Sequence, residues 1–167
     1  MRSYEAADAE AVLAINSENQ PAVGPMDREK LDFFAETAGF FVVEQDDSDT
    51  IVAFLIGLDE SVTGYDSPNY AHFTDKYDEF AYVDRIAVTA DHQGQGLGQR
   101  LYSSFEAWAY GYGKRVLAAE VNTIPDNPQS HRFHQAFGFT EMARGNPYGP
   151  DEAVSYTHLT LPTNREV

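Results

Sequence analysis

The run Val88-Thr89-Ala90-Asp91-His92-Gln93-Gly94-Gln95-Gly96-Leu97-Gly98 joins an apolar, β-type segment to a helical one. Successive glycines let a backbone turn tightly and aim several N–H groups at one point. A helix that starts just beyond them adds the positive end of its dipole. Such a turn cradles a pyrophosphate with few basic side chains. Several readings share this spacing. A phosphate-binding P-loop needs Gly-Lys-Ser/Thr, and no lysine stands here. The dinucleotide fingerprint G-x-G-x-x-G is met by Gly94 and Gly96 but finds Gln99 at its third glycine. Glu120, about 20 residues further on, suits that fingerprint. Against it, five residues separate the strand from Gly94. A third pattern, Gln93-x-x-Gly96-x-Gly98, also fits, and so does a tight loop that binds nothing.

Two carboxylates lie inside apolar segments. Asp84 sits in Tyr82-Val83-Asp84-Arg85-Ile86-Ala87-Val88, and Glu120 in Val116-Leu117-Ala118-Ala119-Glu120-Val121-Asn122. A carboxylate on a buried strand costs free energy unless it is paired or functional. For Asp84 the structural partner would be Arg85 or Arg132. His131 and His134 are three apart on an expected helix, a spacing a metal can use. No third ligand is evident, so no metal is expected. The chain has no cysteine, which excludes disulfide scaffolds, thiolate catalysis and cysteine-ligated metals.

The elements that must position these residues follow from periodicity. A helix is expected from about Ala7 to Asn19, with Ala11, Val12 and Ile15 as its apolar stripe. Pro21 and Pro25 break it. Asp27 caps a second helix with Leu31, Phe34, Ala35 and Ala38 inward and Gly39 past its end. Phe40–Gln45 and Ile51–Leu58 read as a hairpin around Asp46-Asp47-Ser48-Asp49. Phe80–Val88 and Val116–Val121 are further strands. Leu97, Leu101, Phe105, Trp108 and Tyr112 recur at helical spacing between them, which makes a βαβ unit. A last helix runs Asn127–Phe137, ended by Gly138, before a short strand Phe139–Ala143. The class is α/β.

Charge narrows the function. Asp and Glu number 27 against 11 Lys and Arg, a formal net charge of −16. So acidic a surface repels phosphate backbones, so no nucleic-acid partner is expected. The acids are spread along the whole chain, which reads as solubility or salt adaptation. No apolar run approaches the roughly 20 residues of a membrane span, so no membrane partner is expected. The N-terminal residues lack an apolar signal core, and a cytoplasmic protein is expected.

Taken together the two glycine-flanked motifs resemble the GNAT acyltransferase superfamily over about Arg2 to Ala153. Tyr82-Val83-Asp84-Arg85-Ile86-Ala87-Val88 looks like its fourth strand leading into Gln93-x-x-Gly96-x-Gly98. Asn127-x-x-Ser130-x-x-Phe133-His134-x-x-x-Gly138-Phe139 looks like its fourth helix and next strand. Asp66-Ser67-Pro68-Asn69-Tyr70, Tyr82-Val83-Asp84-Arg85 and Glu120-Val121-Asn122 look closest to an uncharacterised subgroup of predicted acetyltransferases. The resemblance implies a mixed, mostly antiparallel sheet with about four helices, split between the fourth and fifth strands. It implies acetyl-CoA as co-substrate, a small primary amine as acceptor, and an N-acetyltransferase activity. Homodimers are common in the family.

The resemblance also assigns residues. Backbone groups of Ile86, Ala87 and Val88 would hold the pantetheine and the acetyl carbonyl, where an N–H stabilises the developing oxyanion. The amides of Gln93, Gly94, Gln95, Gly96, Leu97, Gly98, Gln99 and Arg100 would hold the pyrophosphate. Asn127 would contact the pantetheine arm, or cap a helix before Pro128. The acceptor amine must lose a proton, and Asp84 and Glu120 are the candidate bases. Many family members place a tyrosine, as general acid, where this chain has His134. The histidine could donate a proton or pack with Phe133 and Phe137. The departure leaves a non-catalytic acyl-CoA binding or sensing module as the alternative, and a Rossmann-type nucleotide binder as a third reading. The stretch Asp59–Phe80, with Tyr65, Tyr70, His72, Phe73 and Tyr77 among acids, suits a cationic amine as an irregular acceptor wall and equally an ordinary packed loop; Asn19–Pro25 is the other expected wall.

Val154–Thr163 matches the translation of a transposon-end sequencing adapter. Residues 1–153 are therefore expected to form a single acetyltransferase domain, with 154–167 an artefactual tail in place of the natural last strand. Its alternating Tyr156, His158-Leu159 and Leu161 suit a strand pairing, which Pro162 would end.

Overall fold

The computed structural model describes residues 1–162. In chain order it contains β1 (Arg2–Ser3), a 3-10 turn (Ala6–Asp8), α1 (Ala9–Glu18), α2 (Arg28–Thr37), β2 (Phe40–Gln45), β3 (Ile51–Asp59) and α3 (Pro68–Lys76). There follow β4 (Ala81–Val88), a second 3-10 turn (Ala90–His92), α4 (Leu97–Gly111), β5 (Val116–Ile124), α5 (Pro128–Phe137), β6 (Thr140–Gly145) and β7 (Ala153–Thr160). The strands form one seven-stranded sheet in the order β1-β2-β3-β4-β5-β7-β6. The class is mixed α/β with a mostly antiparallel sheet, as expected. It carries five α-helices rather than about four.

One unit comprises Met1–Leu58 and Val83–Trp108. Its hairpin pairs β2 with β3 antiparallel, with Val43 opposite Phe54. The turn is held by Asp46, whose Oδ1 accepts from Ser48 N at 2.8 Å and Thr50 N at 3.0 Å. Two short polar links thus close a sharp reversal that lets the apolar strands meet. In α2, Asp27 caps Lys30 N at 2.9 Å, while Leu31 and Phe34 are fully buried. Ala38 is its extended C-cap and not an inward helical residue.

The aromatic stripe of α4 packs on this hairpin. Phe105 lies 5.4 Å from Phe40 and 5.6 Å from Trp108, ring centre to ring centre. The approach is close because β3 carries Gly57 under the ring. A Cβ there would stand 2.3 Å from Phe105 Cε2, and one at Gly39 would stand 2.7 Å from Trp108. Gly57→Ala therefore forces Phe105 off its rotamer, and overpacking of this kind costs about 1–3 kcal/mol. Urea denaturation should show that loss. Gly24→Ala, with no atom within 4 Å and no unusual φ, should stay within about 0.5 kcal/mol of the parent.

The second unit comprises Asp59–Tyr82 and the residues from Ala109 onward. Here β4 runs parallel to β5, with Ala81 opposite Leu117 and Tyr82 opposite Ala118. β7 lies between β5 and β6 and is antiparallel to both, with Glu120 opposite Tyr156. The strand between β5 and β6 is thus built from Ala153–Thr160, all of it but Ala153 within the adapter-like segment. Residues 163–167 of that segment lie outside the described residues.

The fifth helix explains the count. The connection between β3 and β4, expected to be irregular, contains α3. Ser67 Oγ accepts from Tyr70 N at 3.2 Å and Pro68 opens the helix, a start that needs no N–H at that position. Tyr70 and Phe73 are buried against Phe80 and Tyr82, at 5.4 to 6.3 Å between ring centres. Their aromatic character serves the core and not an open wall. α5 begins at Pro128 behind its cap, Asn127, and ends at Gly138, whose φ of 119° suits glycine alone. Among the described residues no helix is long and apolar enough to cross a membrane.

Candidate active site

The end of β4 leads straight into the glycine-rich loop. Ala87 is buried, while Ile86 and Val88 are half-buried. The Val88 carbonyl accepts from Asn19 Nδ2 and from Gln93 Nε2, both at 3.2 Å. Its two lone pairs are thereby used inside the protein, so a ligand can meet this residue only through its other groups. Gln93, expected to lend its amide to a pyrophosphate, instead gives it to the Ala90 carbonyl at 3.4 Å and braces the loop with its side chain. Ala90 N donates to Glu18 Oε1 at 2.8 Å. Two links to the α1 end and one across the turn fix where the loop begins.

Gly94 and Gly96 then adopt φ of 77° and 82°, in the left-handed region that only glycine enters freely. A Cβ at either position would meet no atom within 4 Å. The glycines are therefore required by backbone geometry and leave open space beside them. α4 starts at Leu97, and its first helical bond runs from Arg100 N to Gly96 O at 3.1 Å. The amides of Leu97, Gly98 and Gln99 precede that bond, as the first N–H groups of any helix do. This cradle fits a diphosphate: open backbone, the first N–H groups of a helix and a positive dipole end converge at one place. Beside it, Gly96, Gln99, Arg100, Ser103, Ser104 and Ala107 line an open depression of about 510 Å³. Arg100 Nε stands 3.0 Å from Oε1 of Glu44, a carboxylate only 2% exposed.

Asp84 is placed by a structural pairing. Arg85 Nε donates to Asp84 Oδ2 at 2.8 Å, and both side chains are nearly buried, at 5% and 3% exposure. Of the two partners considered, the neighbour Arg85 is the one found. The same guanidinium donates through Nη1 to Asn16 Oδ1 and to the Gly24 carbonyl, each at 3.0 Å, and lies 5.3 Å from the centre of the Phe34 ring. Asn16 Nδ2 donates to that carbonyl as well, at 3.0 Å. Asp84 thus belongs to a network that ties α1 and the loop after it to β4.

Glu120 stands differently. It is half-buried, and both of its carboxylate oxygens accept from the Tyr82 hydroxyl, at 2.9 and 2.7 Å. Tyr82 is 1% exposed. The sequence assigns Tyr82 no role beyond its place in the strand motif. The parallel register of β4 and β5, which no single sequence reveals, is what brings the two together. Asn127 Oδ1 accepts from Ser130 N at 3.3 Å, so the capping role is present. His131 Nε2 bonds the Asn122 carbonyl at 2.9 Å. Among the described residues no cluster of three or more potential ligands could hold a metal ion.

His134 is 6% exposed, between Phe133 and Phe139 with ring centres at 5.5 and 5.3 Å. Its Nδ1 lies 2.8 Å from the Ser130 carbonyl. A carbonyl only accepts, so Nδ1 carries the proton and the neutral ring has its lone pair at Nε2. Burial pushes the imidazole below its ordinary range; the Ser130 bond opposes this and His131 adds to it. The unfolded chain then takes up a proton near pH ~6.5 while the folded one resists. Stability from this group is complete above that pH and is lost as pH falls toward the lower folded value. Thermal melts at pH 7.5 and 5.5 should show a smaller acid-induced drop in Tm for His134→Gln than for the parent.

The comparisons with known proteins bear on the family and the fold. The profile of the acetyltransferase (GNAT) family matches residues 9–139. An L-amino acid N-acyltransferase of Escherichia coli is 31% identical over 105 residues, 58% of this chain and 60% of that protein. The matches to two further curated acetyltransferases span 42% and 45% of their lengths, so the chain covers about half of the curated relatives it matches. Among solved structures, Ard1 from Thermoplasma volcanium superposes with a TM-score of 0.77 at 21% identity, over 96% of each chain. A phosphinothricin acetyltransferase from Sinorhizobium meliloti, in complex with acetyl-CoA, gives 0.72 at 18% identity, over 96% of this chain and 86% of that one. At such identities these two show the fold.

Proposed function

The chain belongs to the acetyltransferase (GNAT) family, and from that premise we propose that it is an enzyme that transfers the acetyl group of acetyl-CoA to a small primary amine. The observation that carries this reading is the cradle: Gly94 and Gly96 in left-handed conformation with open space beside them, feeding the N-terminus of α4. Acetyl-CoA, when bound, supplies the acetyl group as an activated thioester. The amides from Gly94 to Gln99 hold its pyrophosphate, those of Gln93 and Arg100 being bonded to the Ala90 and Gly96 carbonyls within the chain, and backbone groups of Ile86, Ala87 and Val88 orient the rest.

Glu120 takes the proton of the acceptor amine, at either Oε atom or through one water. It is favoured over Asp84 because Glu120 is half-buried beside a neutral phenol, while the Asp84 carboxylate is enclosed and paired with the Arg85 cation. His134 is given no proton-transfer step, because its protonated nitrogen is already bonded to Ser130. That same feature favours a second reading, a non-catalytic acyl-CoA binding module. We assign residues 1–153 to the acetyltransferase domain and 154–167 to the adapter-derived tail.

Release of free thiol from acetyl-CoA tests the reading, with L-methionine, spermidine, tobramycin and an alanine-initiated peptide as acceptors. Amine-dependent thiol release with any of them supports the enzyme. Micromolar binding of acetyl-CoA without release, in chains with and without residues 154–167, turns the reading to the binding module.

A further inference from the structure

We propose that Tyr82 is a positioning residue that keeps Glu120 ionised and turned toward β4; the role of Glu120 in turnover rests on the reading above, but its coupling to Tyr82 does not. The geometry is specific. Tyr82 stands opposite Ala118 in the parallel register, so Glu120 lies two residues further along β5 and on the same face. A tyrosine side chain spans that offset. Its hydroxyl donates across both carboxylate oxygens, at 2.9 and 2.7 Å.

The tyrosine itself has little freedom. It is 1% exposed, and its ring is packed by Tyr70 at 5.7 Å and Phe73 at 5.4 Å, both from α3. The side chain that the sequence offers as acceptor wall therefore acts indirectly: α3 fixes Tyr82, and Tyr82 fixes Glu120. Neither partner belongs to the adapter-like segment. Tyr156, with Tyr148 acting on it, and His72 are further titratable groups near this place among the described residues. Tyr156 stands opposite Glu120 from β7, and its hydroxyl is given to Asn69 Oδ1 at 3.0 Å. Burial raises the Tyr156 phenol, and the negative charge of Glu120 raises it further. His72 of α3 stacks on Tyr156 with ring centres 3.8 Å apart.

A donor aimed at a carboxylate favours its charged form. Tyr82→Phe, which removes that donor, should therefore raise the titration of the Glu120 carboxyl. The phenyl ring fills the same space between Tyr70 and Phe73, so this variant retains the packing. The test is a carbon-13 titration of the full chain labelled at glutamate side-chain carboxyls, with the Glu120 signal identified by its loss in Glu120→Gln. The expected result is an upward shift of Glu120 in Tyr82→Phe by about half a unit or more, with other glutamates unmoved. In parallel, the acidic limb of kcat/KM with whichever of the four acceptors is turned over should move upward by the same amount, with the KM for acetyl-CoA unchanged. An unmoved Glu120 signal overturns the inference even where the enzyme is active. A shifted signal in a chain that acetylates no amine upholds the coupling and removes only its catalytic use.

Discussion

Gly96→Asp is expected to lower the affinity for acetyl-CoA by at least about 100-fold, which corresponds to roughly 2.7 kcal/mol, while leaving the chain folded. The two halves of that expectation have separate causes. Folding survives because a Cβ at Gly96 meets nothing within 4 Å. The cost is the left-handed φ of 82°, about 1–2 kcal/mol for a residue with a side chain. An acid at the start of a helix offsets part of it by interacting with the dipole. Binding fails for the same reason. The new carboxylate takes the amides of α4 that a pyrophosphate would use, and it repels the phosphates that approach. Calorimetric titration with acetyl-CoA and with CoA measures the loss, and circular dichroism checks the fold. Unchanged affinity in a folded variant would remove the diphosphate assignment.

Glu120→Gln should reduce kcat by about 10²–10⁴-fold, the range that a positioned general base contributes. Acetyl-CoA affinity should stay within about twofold. The substitution keeps the shape of the side chain and its contact with the Tyr82 hydroxyl, and removes only the charge and the basic oxygen. Asp84→Asn should behave in the opposite manner. It leaves the Arg85 guanidinium beside a neutral partner in a site where both side chains are 5% exposed or less, and breaking a buried pair costs about 3–5 kcal/mol. Its signature is therefore a lower Tm with kcat largely kept in the folded fraction. Steady-state kinetics and thermal melts on both variants separate the two carboxylates. A kinetic loss confined to Asp84→Asn would exchange their roles.

Much of the frame was legible because its signals are local. The hairpin of β2 and β3 announces itself by apolar runs on either side of Asp46-Asp47-Ser48-Asp49, and α4 by its aromatic stripe. α3 was missed because Tyr70 and Phe73 read as adornment of a loop. The Ser67-Pro68 pair, a cap followed by a proline at the first helical position, was the signal that could have found it. The Asp84–Arg85 pair was visible as a possibility, since the residues are neighbours. The Tyr82–Glu120 bond was not. It depends on which strands lie side by side and in what register, and a crossover of this length leaves both undetermined until the sheet is known.

The link from Arg85 to the loop after α1 ends on a backbone carbonyl, that of Gly24. Asn16, fully buried, reaches the same oxygen. Every residue owns such an oxygen, so the loop is anchored without any demand on its own side chains. Gln20, Pro21, Ala22 and Pro25 are exposed. Over evolutionary time this segment is therefore open to rewriting residue by residue, whereas Asn16 and Arg85 are not. Related chains that differ in what they bind should diverge here first, around a latch that stays the same.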